Sequence, residues 1–178
     1  VPVTNGFAEF NNVEIYEGTL INQNFTVNTS QFNQRYILSN SFIDTSTIRV
    51  KVKPDESSSS TVTYQQIDNV VGVTSTSSSY LLQEIEDERY ELIFGDNVIG
   101  KKLSNDNYIT VSYIITAGKD GNGASEFSFI GNIIDQDGAT IDASNFSLVT
   151  TEESSRDGDE IESISSIKYY APRIYSSQ

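Results

Sequence analysis

Residues 47–53 read Thr-Ile-Arg-Val-Lys-Val-Lys, and no other stretch restricts the fold so tightly. Apolar and cationic side chains alternate one for one. A strand sends successive side chains to opposite faces, so Ile48, Val50 and Val52 share one surface and Arg49, Lys51 and Lys53 the other. The expectation is a strand in a sheet with one side on a core and one in water. Pro54 and the polar run 55–60 end it.

Shorter extended patterns surround this one. Val13-Glu14-Ile15-Tyr16, Thr19-Leu20-Ile21 and Phe25-Thr26-Val27 read as strand segments interrupted by a turn or bulge at Glu17-Gly18. Residues 62–73, 80–85, 90–94 and 108–117 continue the series, with Leu82, Ile85, Tyr90, Leu92 and Phe94 as candidate core. The serine-rich stretches 55–60 and 75–79 read as solvated connectors, and Glu86-Asp87-Glu88-Arg89 as a charged turn. After residue 117 the composition changes. Gly118-Lys119-Asp120-Gly121-Asn122-Gly123 reads as a hinge, and Phe127-Ser128-Phe129-Ile130 opens a second unit. Near the C-terminus Ile161, Ile164 and Ile167 repeat every third position, Asp159 and Glu162 resemble a capping box, and Pro172 stops the helix. The expected fold class is therefore mainly β (α+β). An antiparallel β-sandwich or meander domain over 1–118 is followed by a smaller α+β unit over 119–178, with a hinge near 118–126 and a C-terminal helix at about 159–170.

Within FGDNVIGKKL, residues 94–103, Gly95, Gly100 and Lys101 stand at the spacing of a phosphate-cradling loop. That loop requires a following helix, whose N-terminus faces the phosphates, and a Ser or Thr after the Lys to hold magnesium. Here Lys102 follows, and then Leu103, a turn-rich run and another strand pattern. The glycines are better read as turn residues in an antiparallel meander, together with Gly118, Gly121 and Gly123 further on.

Composition narrows the chemistry. The chain has 178 residues, 37% of them hydrophobic, which is enough to bury a core. Eleven basic residues against twenty-five acidic ones give a net charge of −14, which repels nucleic acid and anionic membrane. No apolar run approaches the roughly 20 residues of a membrane-spanning helix, and no basic-then-apolar leader is present, so a soluble chain is expected. There is no Cys, His, Met or Trp. The usual zinc and copper sites, the Ser-His-Asp relay and the Cys nucleophile all need side chains this sequence lacks. The start on Val1-Pro2-Val3 leads us to expect a fragment or processed piece.

Among the remaining candidates, Asp120-Gly121-Asn122-Gly123 and Asp135-Gln136-Asp137-Gly138 miss the ligand spacing of a helix-flanked calcium loop and read as turns. Glu84, Glu86, Asp87, Glu88 and Glu91 crowd a polar turn where water screens them, which argues against a catalytic carboxylate pair. Asn24-Phe25-Thr26, Asn28-Thr29-Ser30 and Asn145-Phe146-Ser147 match the glycosylation acceptor pattern in a chain where chance matches are expected. The expectation is no enzyme, no catalytic residues, no metal and no cofactor. Lys168, Tyr169, Tyr170, Arg173 and Tyr175 put tyrosines and an arginine beside a helix end. Such residues anchor protein contacts, and they equally suit packing against the small unit.

Three stretches carry a resemblance. Residues 90–103 resemble the Phe-Gly-Asp-Gly-x-x-Gly hairpin of the baseplate-J-like wedge subunits of T-even-type contractile-tailed phages. Residues 109–118 with Gly121-Asn122-Gly123 are similar to that family's strand and Gly-Asn turn. Residues 162–173 are similar to its Ser-Ile-Lys-x-x-Ala-Pro helix end. Order and spacing agree over roughly 13–178, with Asn97 where the family often has Gly. The resemblance implies a non-enzymatic virion component of the tail baseplate, assembled in the host bacterial cytoplasm. Its partners would be other wedge subunits and copies of itself, with no nucleic acid and no membrane. From composition alone a secreted or cell-surface β-sandwich adhesin or carbohydrate-binding module stands as the alternative.

Overall fold

A computed structural model describes residues 3–4, 7–8, 10–11, 13–134, 137–141, 153–159, 165 and 168–170. Their strands are β1 (Val3–Thr4), β2 (Phe7–Ala8), β3 (Thr19–Thr26), β4 (Tyr36–Ile37), β5 (Ile43–Lys53) and β6 (Val62–Gln66). They continue with β7 (Ser79–Glu84), β8 (Tyr90–Phe94), β9 (Tyr108–Ile115), β10 (Ile133–Ile134) and β11 (Thr140–Ile141). Seven strands form one sheet in the order β3-β9-β5-β6-β7-β8-β4, and β1-β2 and β10-β11 are separate two-stranded hairpins. Ser165 and Lys168, Tyr169 and Tyr170 are α-helical. The chain is mainly β with a short helix near the C-terminus, the fold class expected from the sequence. No described helix is long and apolar enough to cross a membrane.

The alternation over residues 47–53 organises the core. Ile48, Val50 and Val52 of β5 are buried, while Arg49 and Lys51 face out. Beside them Ile109, Val111 and Tyr113 of β9 are fully buried, because β9 lies between β3 and β5 with one face inward. The β5 strand begins earlier than the alternation suggests and contains a bulge between Asp44 and Arg49. Thr47 repairs the interrupted ladder: its hydroxyl donates to Asp44 O at 2.6 Å and accepts from Ile114 N at 3.0 Å. Aromatic rings fill the centre. Phe94 meets Tyr36 and Tyr64 edge-on at centroid distances of 5.3 and 5.6 Å, and Tyr36 in turn meets Phe25 at 5.6 Å.

The sheet curls until its two edge strands, β3 and β4, nearly meet, and no backbone ladder joins them. Glutamine side chains span the seam instead. Gln23 donates from Nε2 to Ile37 O at 2.9 Å and accepts at Oε1 from Ser39 N at 3.0 Å. Gln34 does the same in reverse, donating to Thr26 O and accepting from Asn28 N, both at 2.8 Å. A primary amide carries one donor edge and one acceptor edge, as a peptide unit does, so each glutamine stands in for a missing rung.

Several local expectations change in the structure. Residues 13–17 are not in a strand, because β9 offers its outer edge only as far as Thr19, opposite Ile115. The strand pattern of 62–73 stops at Gln66. From there residues 67–78 cross over to β7, which pairs with β6 in parallel, a connection that needs about a dozen residues. Ser79, read as part of a solvated connector, is buried at the start of β7. The strands on either side of FGDNVIGKKL are not meander neighbours: β8 pairs with β7 and β4, and β9 with β3 and β5. The hairpin expected at Asp135-Gln136-Asp137-Gly138 is flanked by the antiparallel pairs Ile133 with Ile141 and Ile134 with Thr140. Asp135 and Gln136 themselves lie outside the described residues, as does Asn145-Phe146-Ser147. So does most of the expected helix 159–170, including Ile161, Glu162, Ile164 and Ile167.

Candidate interaction surface

The FGDNVIGKKL segment leaves β8 at Phe94 and turns at once. Asp96 sets the turn by accepting from Val98 N at 2.8 Å and Ile99 N at 2.9 Å. Asn97 holds φ of 75°, which Asn tolerates better than most residues, and its side chain accepts from Lys102 N at 3.0 Å. A Cβ on Gly95 would run into the Gly100 carbonyl, and Gly100 has φ of 79°. The first glycine permits a close backbone approach and the second a left-handed residue.

These bonds decide the phosphate question by geometry. Gly100 N donates to Thr74 O at 3.1 Å, Lys101 N to Ser77 O at 2.8 Å, and Asn97 N to Gly100 O at 3.0 Å. Every amide from Asn97 to Lys102 therefore already points at a protein oxygen. A phosphate cradle needs those donors free and converging. In their midst stands the Asp96 carboxylate, held below its ordinary pKa first by the Ile99 and Val98 amides. No helix follows Lys101 in the fully described stretch that leads to β9.

The same bonds tie two loops together. Residues 67–78 and 95–102 are joined through Thr74 and Ser77, and each loop exposes apolar side chains, Val70 and Val71 on one, Val98 and Ile99 on the other. Val71 and Val98 are 87% and 74% exposed. The backbone is fixed and the side chains face water, an arrangement suited to protein contact at low ordering cost.

The charged turn behaves as a solvated one at Glu84, Glu86, Asp87 and Glu88, which are exposed. Glu91 differs. It sits on β8 beside β4 and takes a bidentate pair from Arg35, Nε to Oε1 at 2.8 Å, and this hydrogen bonding is the first cause lowering its pKa. A cleft of about 640 Å³ opens near that turn. Phe42, Ile43 and Tyr90 form its apolar wall, while Glu84, Glu88, Asp120 and Asp159 make its rim acidic apart from Lys119. The rim repels phosphate and carboxylate groups. No group of three or more His, Cys, Asp or Glu placed to hold a metal occurs among the described residues.

Of the expected contact residues, Lys168, Tyr169 and Tyr170 are helical and exposed, and the two tyrosine rings stand edge to face at 5.1 Å. Arg173 and Tyr175 lie outside the described residues. Gly118 and Gly123 hold φ of 58° and 94°, and Gly121 closes a 3-10 turn over Gly118–Gly121. Sequence reasoning did not single out Gln23, Gln34 or the loop valines. Glutamine at an inward position of an alternating strand, Ile21-Asn22-Gln23-Asn24-Phe25, is the signal that marks the first. No protein-family model matches the chain, and no curated protein matches it.

Proposed function

We propose that the chain is a structural, non-enzymatic component of a contractile phage tail baseplate, of the baseplate-J-like kind, that joins wedge subunits into a ring through protein–protein contacts. The observation that carries this reading is the ordered resemblance of residues 90–103, 109–123 and 162–173 to that family. Its physical support is a nearly closed sheet whose loops display Val71, Val98 and Ile99 on hydrogen-bonded backbone. The exposed Tyr169 and Tyr170 add aromatic anchors of the kind that dominate interfaces. Its partners are other wedge subunits and further copies of the chain, its place is the virion tail tip, and assembly takes place in the bacterial cytoplasm.

The test is to co-express the chain with the products of the neighbouring genes of its genome and follow assembly by light scattering and electron microscopy. A stable complex burying well over 1,000 Å² is expected. Monodisperse chain in every mixture, with selective glycan binding on an array, would overturn the proposal in favour of a carbohydrate-binding module.

A further inference from the structure

Residues 153–159 lie along residues 117–124 as a strap, and Asn122 and Ser155 fasten it. Gly123 N donates to Ser155 O at 2.9 Å and Ser155 N to Ala124 O at 2.8 Å. The Ser155 hydroxyl donates to Gly121 O at 2.6 Å and accepts from Ala124 N at 2.9 Å. The Asn122 side chain grips Gly158 from both sides, donating from Nδ2 to its carbonyl at 2.8 Å and accepting at Oδ1 from its amide at 2.9 Å. The strap comes so near that a Cβ on Gly158 would collide with the Gly118 carbonyl.

Asn122 is followed by glycine, the neighbour that least obstructs attack of a backbone nitrogen on an asparagine side chain. In that reaction the Gly123 nitrogen gives its proton to solvent and forms a bond to Asn122 Cγ. The Cγ–Nδ2 bond breaks and ammonia leaves. Water then opens the resulting five-membered imide at either carbonyl, giving aspartate or its β-linked isomer. One water enters, one ammonia departs, and nothing is oxidised or reduced.

With the strap docked, three features oppose the first step. The Gly123 N–H is committed to Ser155 O. The Asn122 amide is pinned at both ends by Gly158. Finally, Asn122 is extended, with φ of −74° and ψ of 147°, so the Gly123 nitrogen is turned well away from the eclipsed position over Cβ that ring closure requires. Undocking releases all three together. Once formed, a carboxylate at position 122 still accepts from Gly158 N but has no proton for Gly158 O, and the two oxygens repel.

We propose that Asn122 is a self-modification site, unreactive while the strap is docked, whose deamidation after undocking keeps the strap from closing again. The strap is thus a latch that opens reversibly until it reacts and irreversibly afterwards.

The purified chain, incubated at mildly alkaline pH and sampled for peptide mass spectrometry, tests this directly. Deamidation at Asn122 is expected to be at least about tenfold slower in the native chain than in the same chain in urea, because only the open state reacts. The Asn5-Gly6 pair supplies a reference for the rate in urea. Ser155→Ala loses two side-chain bonds of the clasp and is expected to raise the native rate about tenfold while the melting transition of the sheet stays cooperative. Hydrogen exchange in 153–159 is expected to quicken in Asn122→Asp. Equal rates in native and urea-treated wild type, or unchanged exchange in Asn122→Asp, would overturn the latch, and the first of these needs no variant at all.

Discussion

The seam between β3 and β4 offers the sharpest test of how this sheet closes. Gln23→Leu keeps nearly the same volume but removes the amide that bridges the two edges. Ile37 O loses its donor and Ser39 N its acceptor. Tyr113 OH, which lies 3.1 Å from Gln23 Oε1, keeps its shorter bond of 2.6 Å to Asn40 Oδ1. A polar group left unpaired in the interior costs about 1–3 kcal/mol. Ile37 is half-buried and Ser39 exposed, so water replaces the Ser39 acceptor and about 1 kcal/mol, for the Ile37 carbonyl, is the fair figure. For a chain of this length that lowers the melting temperature by about 2–4 °C. Asn24→Ala, one position along the same strand on the exposed face, is expected to stay within about 0.5 kcal/mol of wild type. Gln23→Glu separates hydrogen bonding from packing. Its carboxylate keeps an acceptor for Ser39 N, Ser39 Oγ and Tyr113 OH but offers no proton to the Ile37 carbonyl, so at neutral pH the variant is expected to melt below wild type by circular dichroism. Equal effects of Gln23→Leu and Asn24→Ala, or wild-type melting of Gln23→Glu, would refute the bridging role.

Three further outcomes follow from the same geometry. Gly95→Ala forces a methyl group into the Gly100 carbonyl and is expected to cost about 1–3 kcal/mol in urea denaturation, whereas Gly123→Ala meets open space and strains only its own backbone. Burial pushes the Tyr80 phenol up to about 12 from its ordinary 10.0. Its contribution to stability is whole below the unfolded value and lost as pH climbs between the two, so Tyr80→Phe should flatten the alkaline unfolding profile in that window. Arg35 holds Glu91 below the ordinary carboxylate range, so the pair stabilises above the unfolded Glu pKa and fails as pH falls through the folded one. Glu91→Gln should therefore lessen the acid sensitivity of the melting temperature, and added salt should weaken the same effect in wild type because Arg35 is more than half exposed.

Local pattern determined a good deal of this protein. The alternation from Ile48 to Val52 required a strand with one buried face, the composition of Tyr90–Phe94 and Tyr108–Ile115 marked two more, and the missing imidazole and thiol groups removed whole classes of chemistry before any fold was known. These features are legible because side-chain periodicity and residue chemistry belong to the segment itself. Tertiary structure alone decided which strands became neighbours. It placed β9 between β3 and β5, set β6 and β7 in parallel, and brought two edges close enough for Gln23 and Gln34 to bridge. It also spent the amides of FGDNVIGKKL on Thr74, Ser77 and the loop's own side chains, and it laid Ser155 against Gly123 from thirty-two positions away. Strand pairing and hydrogen-bond partnership depend on what the rest of the chain leaves unsatisfied, and no window of sequence contains that information.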